Sequence, residues 1–468
     1  MGRWDREAEP GLPIKLAPCS NGEFAPRPAP PRLRAAVRMA HDACDQAARR
    51  LGMSRRDFLR TSMASAATLL ALGACADDGD GGPSSGEFSV PPDATLDRDT
   101  ATSVLGGDGP IVDVQQHLLE GGGFGSGFPQ ADCGDGQACF DTEHWLDLVF
   151  GRSDTTVAVL SAIPVLIDPD PLSAEVMDAA RRAADELCGD GRVLVQGHAQ
   201  PNVGPLQGGL DAMREEAGRY PIAAWKAYTH AGRPWALDDD TGEAFLGLVE
   251  EIGPPIVCVH KGLGADPADV GPAAAAHPQL AFVAYHSGHE RDVREGPYAA
   301  GQPNGGVDRL LESVRRAGVG VGQNVYAELG TTWRNLMGDP DQAAHLLGKL
   351  IAALGPGNVL WGTDSIWYGS PQDQIEAFRA FEITAEAQER FGYAPLAPDV
   401  KQGILAGNAA RLYGIDPAGV PCATSPADRE ALRRDPPSTD RLLGPRTAAA
   451  ARRTFAADHP WFATVPPH

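Results

Sequence analysis

Eight short apolar runs, separated by helical or loop-forming stretches, limit what this chain can fold into. They fall at 111–117, 155–162, 193–200, 222–230, 255–260, 280–286, 319–328 and 358–364. The run 155–162 is apolar without alternation, as expected of a strand buried on both faces. Helical patterns lie between the runs. In 173–187, Val176, Ala180, Ala183 and Leu187 share one face, and Gly189 lies past the end. The stretch 241–252 closes at Gly253 and Pro254, and 307–317 is helical. Strand–helix alternation repeated over about 310 residues predicts a closed parallel (β/α)8 barrel of the TIM type. A doubly wound open sheet is the alternative. It is disfavoured because no Gly-rich phosphate loop follows the first strand in the required form.

Barrel enzymes build their active sites from the C-terminal ends of the strands. The first run, Ile111 to His117, ends in polar groups, and strand alternation puts Asp113, Gln115 and His117 on one face. The fifth run ends at His260, the sixth at His286 and the eighth at Asp364. Gln115, His117, His260 and Asp364 are therefore candidate metal ligands, and Asp364 and His286 candidate catalytic groups. Neutral imidazoles with a carboxylate suit Zn²⁺, with Mn²⁺ or Fe²⁺ as alternatives. A cation with an open position lowers the pKa of bound water and polarises a carbonyl. Asp364 would then take up a proton while His286 assists the carbonyl oxygen or the leaving group. Lys226, His198, His230 and Tyr326, on the third, fourth and seventh runs, are candidate substrate contacts.

The formal net charge is −22. The first 75 residues carry 12 Lys+Arg against 7 Asp+Glu, and the remainder 28 against 55. So acidic a body argues against nucleic acid and against anionic membrane surfaces as partners. The expected partner is a small-molecule substrate, and a homodimer is one assembly the chain could form.

The N-terminal part reads differently. Residues 1–52 are expected to be a disordered leader, or sequence upstream of a true start at Met53, with a basic amphipathic helix over 33–51 as the alternative. The stretch 54–60, with Arg55 and Arg56, resembles a twin-arginine export signal. A small-residue apolar run, 63–74, follows. It is too short to span a bilayer, which takes roughly 20 residues. Leu72-Gly73-Ala74-Cys75 resembles a lipobox, which would make a lipidated Cys75 the mature N-terminus. Residues 76–107 then read as a flexible tether. These features imply an exported protein that meets the membrane only through its lipid anchor. In that compartment Cys133 and Cys139 could form a small-loop disulfide. Residues 416–468 form a C-terminal extension, with a helix and tail on the barrel's outside.

Taken together, the strand ends resemble the amidohydrolase-related family of the amidohydrolase superfamily, over roughly 111–414. The first-strand motif of that family is usually Asp-x-His-x-His, and here Asp113, Gln115 and His117 stand in its places. Further matches are His260 in Ile256-Val257-Cys258-Val259-His260, His286 in Tyr285-His286-Ser287-Gly288, and Asp364 in Leu360-Trp361-Gly362-Thr363-Asp364. The stretch 404–413 matches the closing signature. The resemblance implies a divalent metal, Zn²⁺ or Mn²⁺, and a hydrolase of small esters, lactones or amides. A non-oxidative decarboxylase on the same site, or a metal-independent lactonase, is the alternative. A non-catalytic binding lipoprotein is a rival that only Gln115 favours.

Overall fold

The computed structural model describes residues 11–76, 82–120, 139–164, 170–231, 233–262, 264–291, 293–298, 305–421, 425, 428, 431–432 and 442–455. Among the described residues the first helices are α1 (Pro31–Leu51), α2 (Arg55–Phe58) and α3 (Ser62–Gly73). α1 has Pro at its first position and ends at Gly52 with φ 65°. Its buried side chains, Val37, Ala40, Cys44, Ala47 and Ala48, recur at helical spacing and pack against α3. α3 is buried almost all round, from Met63 to Leu69 and again at Ala71 and Leu72. A short helix of small apolar residues has the same composition whether it lies in a core or in an export signal. No helix among the described residues is long and apolar enough to cross a membrane.

Residues 11–52 thus differ from a disordered leader, because many of their apolar side chains are buried: Ile14 is fully covered and Leu16 and Phe24 nearly so. The stretch expected as a tether is also structured in part. Strand β1 (Gly86–Phe88) and a helix Arg98–Leu105 lie within it. Asp97 caps that helix, accepting from the Thr100 N–H at 2.7 Å.

The barrel follows as β2 (Val112–Gln116), β3 (Val157–Leu160), β4 (Val193–Ala199), β5 (Ile222–Tyr228), β6 (Ile256–His260), β7 (Ala281–Tyr285), β8 (Val325–Glu328) and β9 (Val359–Leu360). All neighbours pair in parallel and in chain order. β9 and the residues after it close onto β2 through Val114 N–H to Trp361 O at 3.0 Å and His117 N–H to Ser365 O at 2.7 Å. The fold is a (β/α)8 TIM barrel. Val112, Val114, Val157, Ile256, Val283 and Leu360 belong to one apolar cluster inside it. Outside the barrel, β10 (Phe381–Ile383) pairs antiparallel with β1.

Three local expectations shift. The helix begun by the Ser173 cap is Ala174–Cys188, and it buries Met177, Ala180 and Ala184, while Leu187 is 70% exposed. Rolling that way covers the longer Met177 side chain in place of Val176. The seventh strand begins at Val325, because 319–324 turn: Gly322 has φ 76°, and its N–H reaches Leu354 O at 2.8 Å. The pairing of β2 with β3 slips between Asp113 and Gln116. This breaks the alternation, so Asp113 bonds Gln116 and Thr363 while Gln115 and His117 turn to Asp364. Cys139 is disulfide-bonded. Cys133, its expected partner, lies outside the described residues, as does most of the stretch 422–441. Residues 442–455 do include the expected outer helix, at Ala448–Phe455.

Candidate active site

Asp364 and His286 follow the last residues of their strands in the left-handed backbone region, with φ 54° and 56°. Ser287 shares it at φ 54°. Non-glycine residues rarely hold that conformation, and each costs on the order of 1–3 kcal/mol. Here it turns both side chains back over the barrel mouth, where both are buried.

Asp364 gathers the first group. His117 Nε2 lies 3.0 Å from its Oδ1, and Gln115 Nε2 donates to the same oxygen at 3.1 Å. Thr331 donates to Oδ2. His117 Nδ1 stands 2.7 Å from the Ser161 carbonyl, which can only accept. In a neutral ring the other nitrogen then carries a lone pair toward Asp364, so a proton or another cation must lie between them.

His260 and His286 form the second group, with ring centroids 4.9 Å apart. The Tyr228 ring stacks on His260 at 5.4 Å, and the His230 ring lies 4.6 Å from it. The group is completed from the far N-terminal part. Glu23 Oε1 lies 3.0 Å from His260 Nδ1, and Oε2 lies 3.3 Å from His286 Nε2. Asn21 Nδ2 donates to Glu23 Oε2 and to Asp364 Oδ2, both at 2.6 Å, joining the two groups.

The loop that delivers Asn21 and Glu23 is a tight turn. Gly22 has φ 99°, Glu23 N–H donates to Asn21 Oδ1 at 3.0 Å, and Ser20 Oγ donates to Phe24 O at 2.6 Å. Lys15 pairs with Asp373 at 3.2 Å, and Arg334 donates to Ala17 O at 3.0 Å. Ser20 N–H bonds Pro445 O at 2.9 Å, and the Arg291 guanidinium lies over the Phe24 ring at 3.8 Å. The cavity left between this loop and Ile163, Pro164, Tyr228, Asp364 and Trp367 measures ≈ 10 Å³, room for about one water.

Burial pushes the Glu23 carboxyl up, but the facing His260 and His286 imidazoles outweigh it and hold it well below the usual range. Burial lowers His260. At His286 burial is outweighed by Glu23, with help from Asp364 and Glu328, and the net direction is up. Burial alone accounts for Lys226, lowered to about 8, and leads for Glu328, raised to about 7. Glu328 accepts the His286 N–H at 2.8 Å.

The expected metal set is therefore divided. Gln115, His117 and Asp364 meet, but His260 joins His286 and Glu23, whose donor atoms all lie within 4.8 Å of one another. Lys226 is fully buried, its Nζ 3.4 Å above the Tyr285 ring and 4.7 Å above that of Tyr228. His198 sits apart from both groups, 3.3 Å from Asp170. Tyr326 is not at the mouth: it comes early in β8 and packs with the apolar cluster inside the barrel. Asn21, Glu23 and Thr331 escaped the sequence reading. The Asn21-Gly22 pair is a turn signal, and it was the one local sign of an ordered loop there.

The donor chemistry fits a divalent cation. Both nitrogens of His260 and both of His286 are buried without a hydrogen bond, although a carboxylate stands within ion-pair distance. Gln115 Oε1 is buried and unbonded as well.

Residues 112–415 match the family described as Amidohydrolase. No curated protein matches the sequence. Among solved structures, an uncharacterised TIM-barrel protein from Bordetella bronchiseptica is similar at 16% identity and TM-score 0.43, over 65% of this chain and 98% of that one. A probable 2-pyrone-4,6-dicarboxylic acid hydrolase from Acinetobacter baumannii, with citric acid bound, is 15% identical at TM-score 0.40, over 65% and 99%. A 5-carboxyvanillate decarboxylase from Novosphingobium aromaticivorans, complexed with manganese and 4-hydroxy-3-methoxy-5-nitrobenzoic acid, is 13% identical at TM-score 0.41, over 66% and 97%.

Proposed function

The chain belongs to the amidohydrolase family, and on that premise we propose that it is a metal-dependent hydrolase that adds water to a small ester, lactone or amide. The observation that carries this reading is Asp364: a buried carboxylate at the barrel mouth, 3.0 Å from His117 Nε2 and beside a cavity of about one water. His260 and His286 are the imidazoles that would hold the cation. When bound, a divalent cation polarises a carbonyl and acidifies water. Asp364 accepts the proton of the attacking water, and its contacts with His117, Gln115 and Thr331 fix its orientation. His117 is itself fixed by Ser161 O.

A decarboxylase is the second reading, and Lys226 favours it. Its Nζ is buried without a hydrogen bond, so it is a cation suited to the carboxylate such a substrate carries. The products separate the two readings. Incubation with panels of esters, lactones, amides and aromatic carboxylic acids, in water labelled with ¹⁸O, should incorporate label into a product carboxylate and release no CO₂. Release of CO₂ without label would replace hydrolysis by decarboxylation. Wild-type protein that is active yet metal-free after incubation with Zn²⁺ and Mn²⁺ would leave a metal-independent lactonase, with Asp364 as the base.

A further inference from the structure

We propose that Glu23 is a metal ligand: with His260 and His286 it holds the divalent cation, in place of the imidazole that the first strand lacks at Gln115. The inference rests on the metal-dependent reading above and adds a ligand from outside the matched region, 112–415.

Three observations carry it. Glu23, His260 and His286 are all buried, and their donor atoms converge within 4.8 Å. The imidazole nitrogens have no hydrogen bonds, while the Glu23 oxygens stand 3.0 and 3.3 Å from two of them. A carboxylate placed between two imidazoles outside hydrogen-bond geometry is the donor set of a site that keeps a fourth position open. Finally, Glu23 is not there by the chance of a loose loop. The turn is closed internally by Ser20, Asn21 and Gly22, and it is fastened to four separate parts of the fold by Lys15, Ala17, Ser20 and Phe24. Asn21 is a positioning residue, donating to Glu23 and Asp364 at once. Asp364 is already engaged by His117, Gln115, Thr331 and Asn21, which suits it to moving a proton.

The test uses the full-length protein, stripped with a chelator and titrated with Zn²⁺ and Co²⁺ against a competing indicator. Glu23→Gln keeps the size of the side chain and removes its charge. It should weaken binding about tenfold or more and shift the visible Co²⁺ spectrum, while circular dichroism stays that of the wild type. Glu23→Asp, which keeps the charge on a shorter arm, should bind with intermediate affinity and a shifted spectrum. If Glu23→Gln does not fold, Glu23→Asp decides, and an unshifted spectrum overturns the assignment. Unchanged affinity and spectrum in Glu23→Gln also overturn it. So does tighter binding with faster turnover, which would make the loop an obstruction. Wild-type protein that takes up no metal defeats the metal-dependent reading itself. Wild-type affinity kept by Glu23→Gln defeats only the role of Glu23.

Discussion

Asn21 and Asp364 stand 343 positions apart in the chain, and the Asn21 amide donates to the Asp364 carboxylate at 2.6 Å. The same nitrogen donates to Glu23 at 2.6 Å. A neutral donor between two buried acids lowers the cost of bringing them close, which a direct contact would not.

Asp364→Asn removes the proton acceptor and leaves the shape. Turnover should fall by at least ~10²-fold, the lower end for a general base. Metal content should stay at the wild-type level, since His260, His286 and Glu23 are untouched. Elemental analysis beside kcat on the first substrate found checks both. A variant that loses its metal would return Asp364 to the ligand set.

Lys226→Met should stabilise the protein. Lys226 is lowered to about 8 in the folded state, from 10.5. Below pH 8 it is charged in both states, and the folded state bears the whole cost of burying it. As pH rises from 8 to 10.5 the folded protein sheds that proton first, so the cost is relieved. At pH 7 the variant should gain roughly 3 kcal/mol, with the gain shrinking above pH 8. Urea unfolding of both proteins at pH 7 and pH 10 measures it. A destabilised variant at pH 7 would show that the nearby Glu23, Glu328 and Asp364 carboxylates outweigh the cost of burial.

Asp113 behaves in the opposite sense. Burial raises it to about 7 from 3.8, against four hydrogen bonds from Gln115, Gln116 and Thr363 that favour the ionised form. Its contribution is full below 3.8 and is lost as pH rises through about 7. Asp113→Asn cannot titrate. Between pH 5 and pH 8 the wild type should therefore lose on the order of 3 kcal/mol relative to the variant. Unfolding free energies at the two pH values provide the comparison, and a difference independent of pH would contradict the shift.

Gly22→Ala places a Cβ on a residue with φ 99°, at a cost of about 1–2 kcal/mol. The turn should relax and carry Asn21 and Glu23 off their partners, weakening metal binding several-fold. Gly204→Ala is the control, at φ 71° with open space around its Cβ. It should lose comparable stability and bind metal as the wild type does. Equal metal affinity in both variants would mean that the turn does not position Glu23.

Lipoprotein processing before Cys75 would take Asn21 and Glu23 away with the leader. If Glu23 is a ligand, the mature chain retains residues 11–74, and peptides from that stretch persist in the mature protein. Mass spectrometry of the protein from cell fractions reads this directly. A mature form beginning at a lipidated Cys75 would establish the export reading of Arg55 and Arg56 and remove Glu23 from the working enzyme.

The barrel was legible in the sequence because its strands are apolar runs that end in polar groups, and that pattern is local. His260, His286 and Asp364 could be found the same way. Glu23 could not, because it lies in a stretch with no periodicity and its partners come from β6 and the end of β7. α3 admits two readings for a different reason: small apolar residues look alike in an export signal and in a core helix. The placing of Asp113 on the face of Gln115 failed at one irregular pairing, which alternation alone cannot foresee.

The turn at Asn21 and Glu23 also fixes an order of events. It leaves the ribosome before the barrel, and Asp364 appears 341 residues after Glu23, a delay of about 20–70 s at ordinary synthesis rates. Until then the opening segment has no barrel to dock on, and α3 has its apolar surface uncovered. The site can therefore form only after the last strand of the barrel has been made.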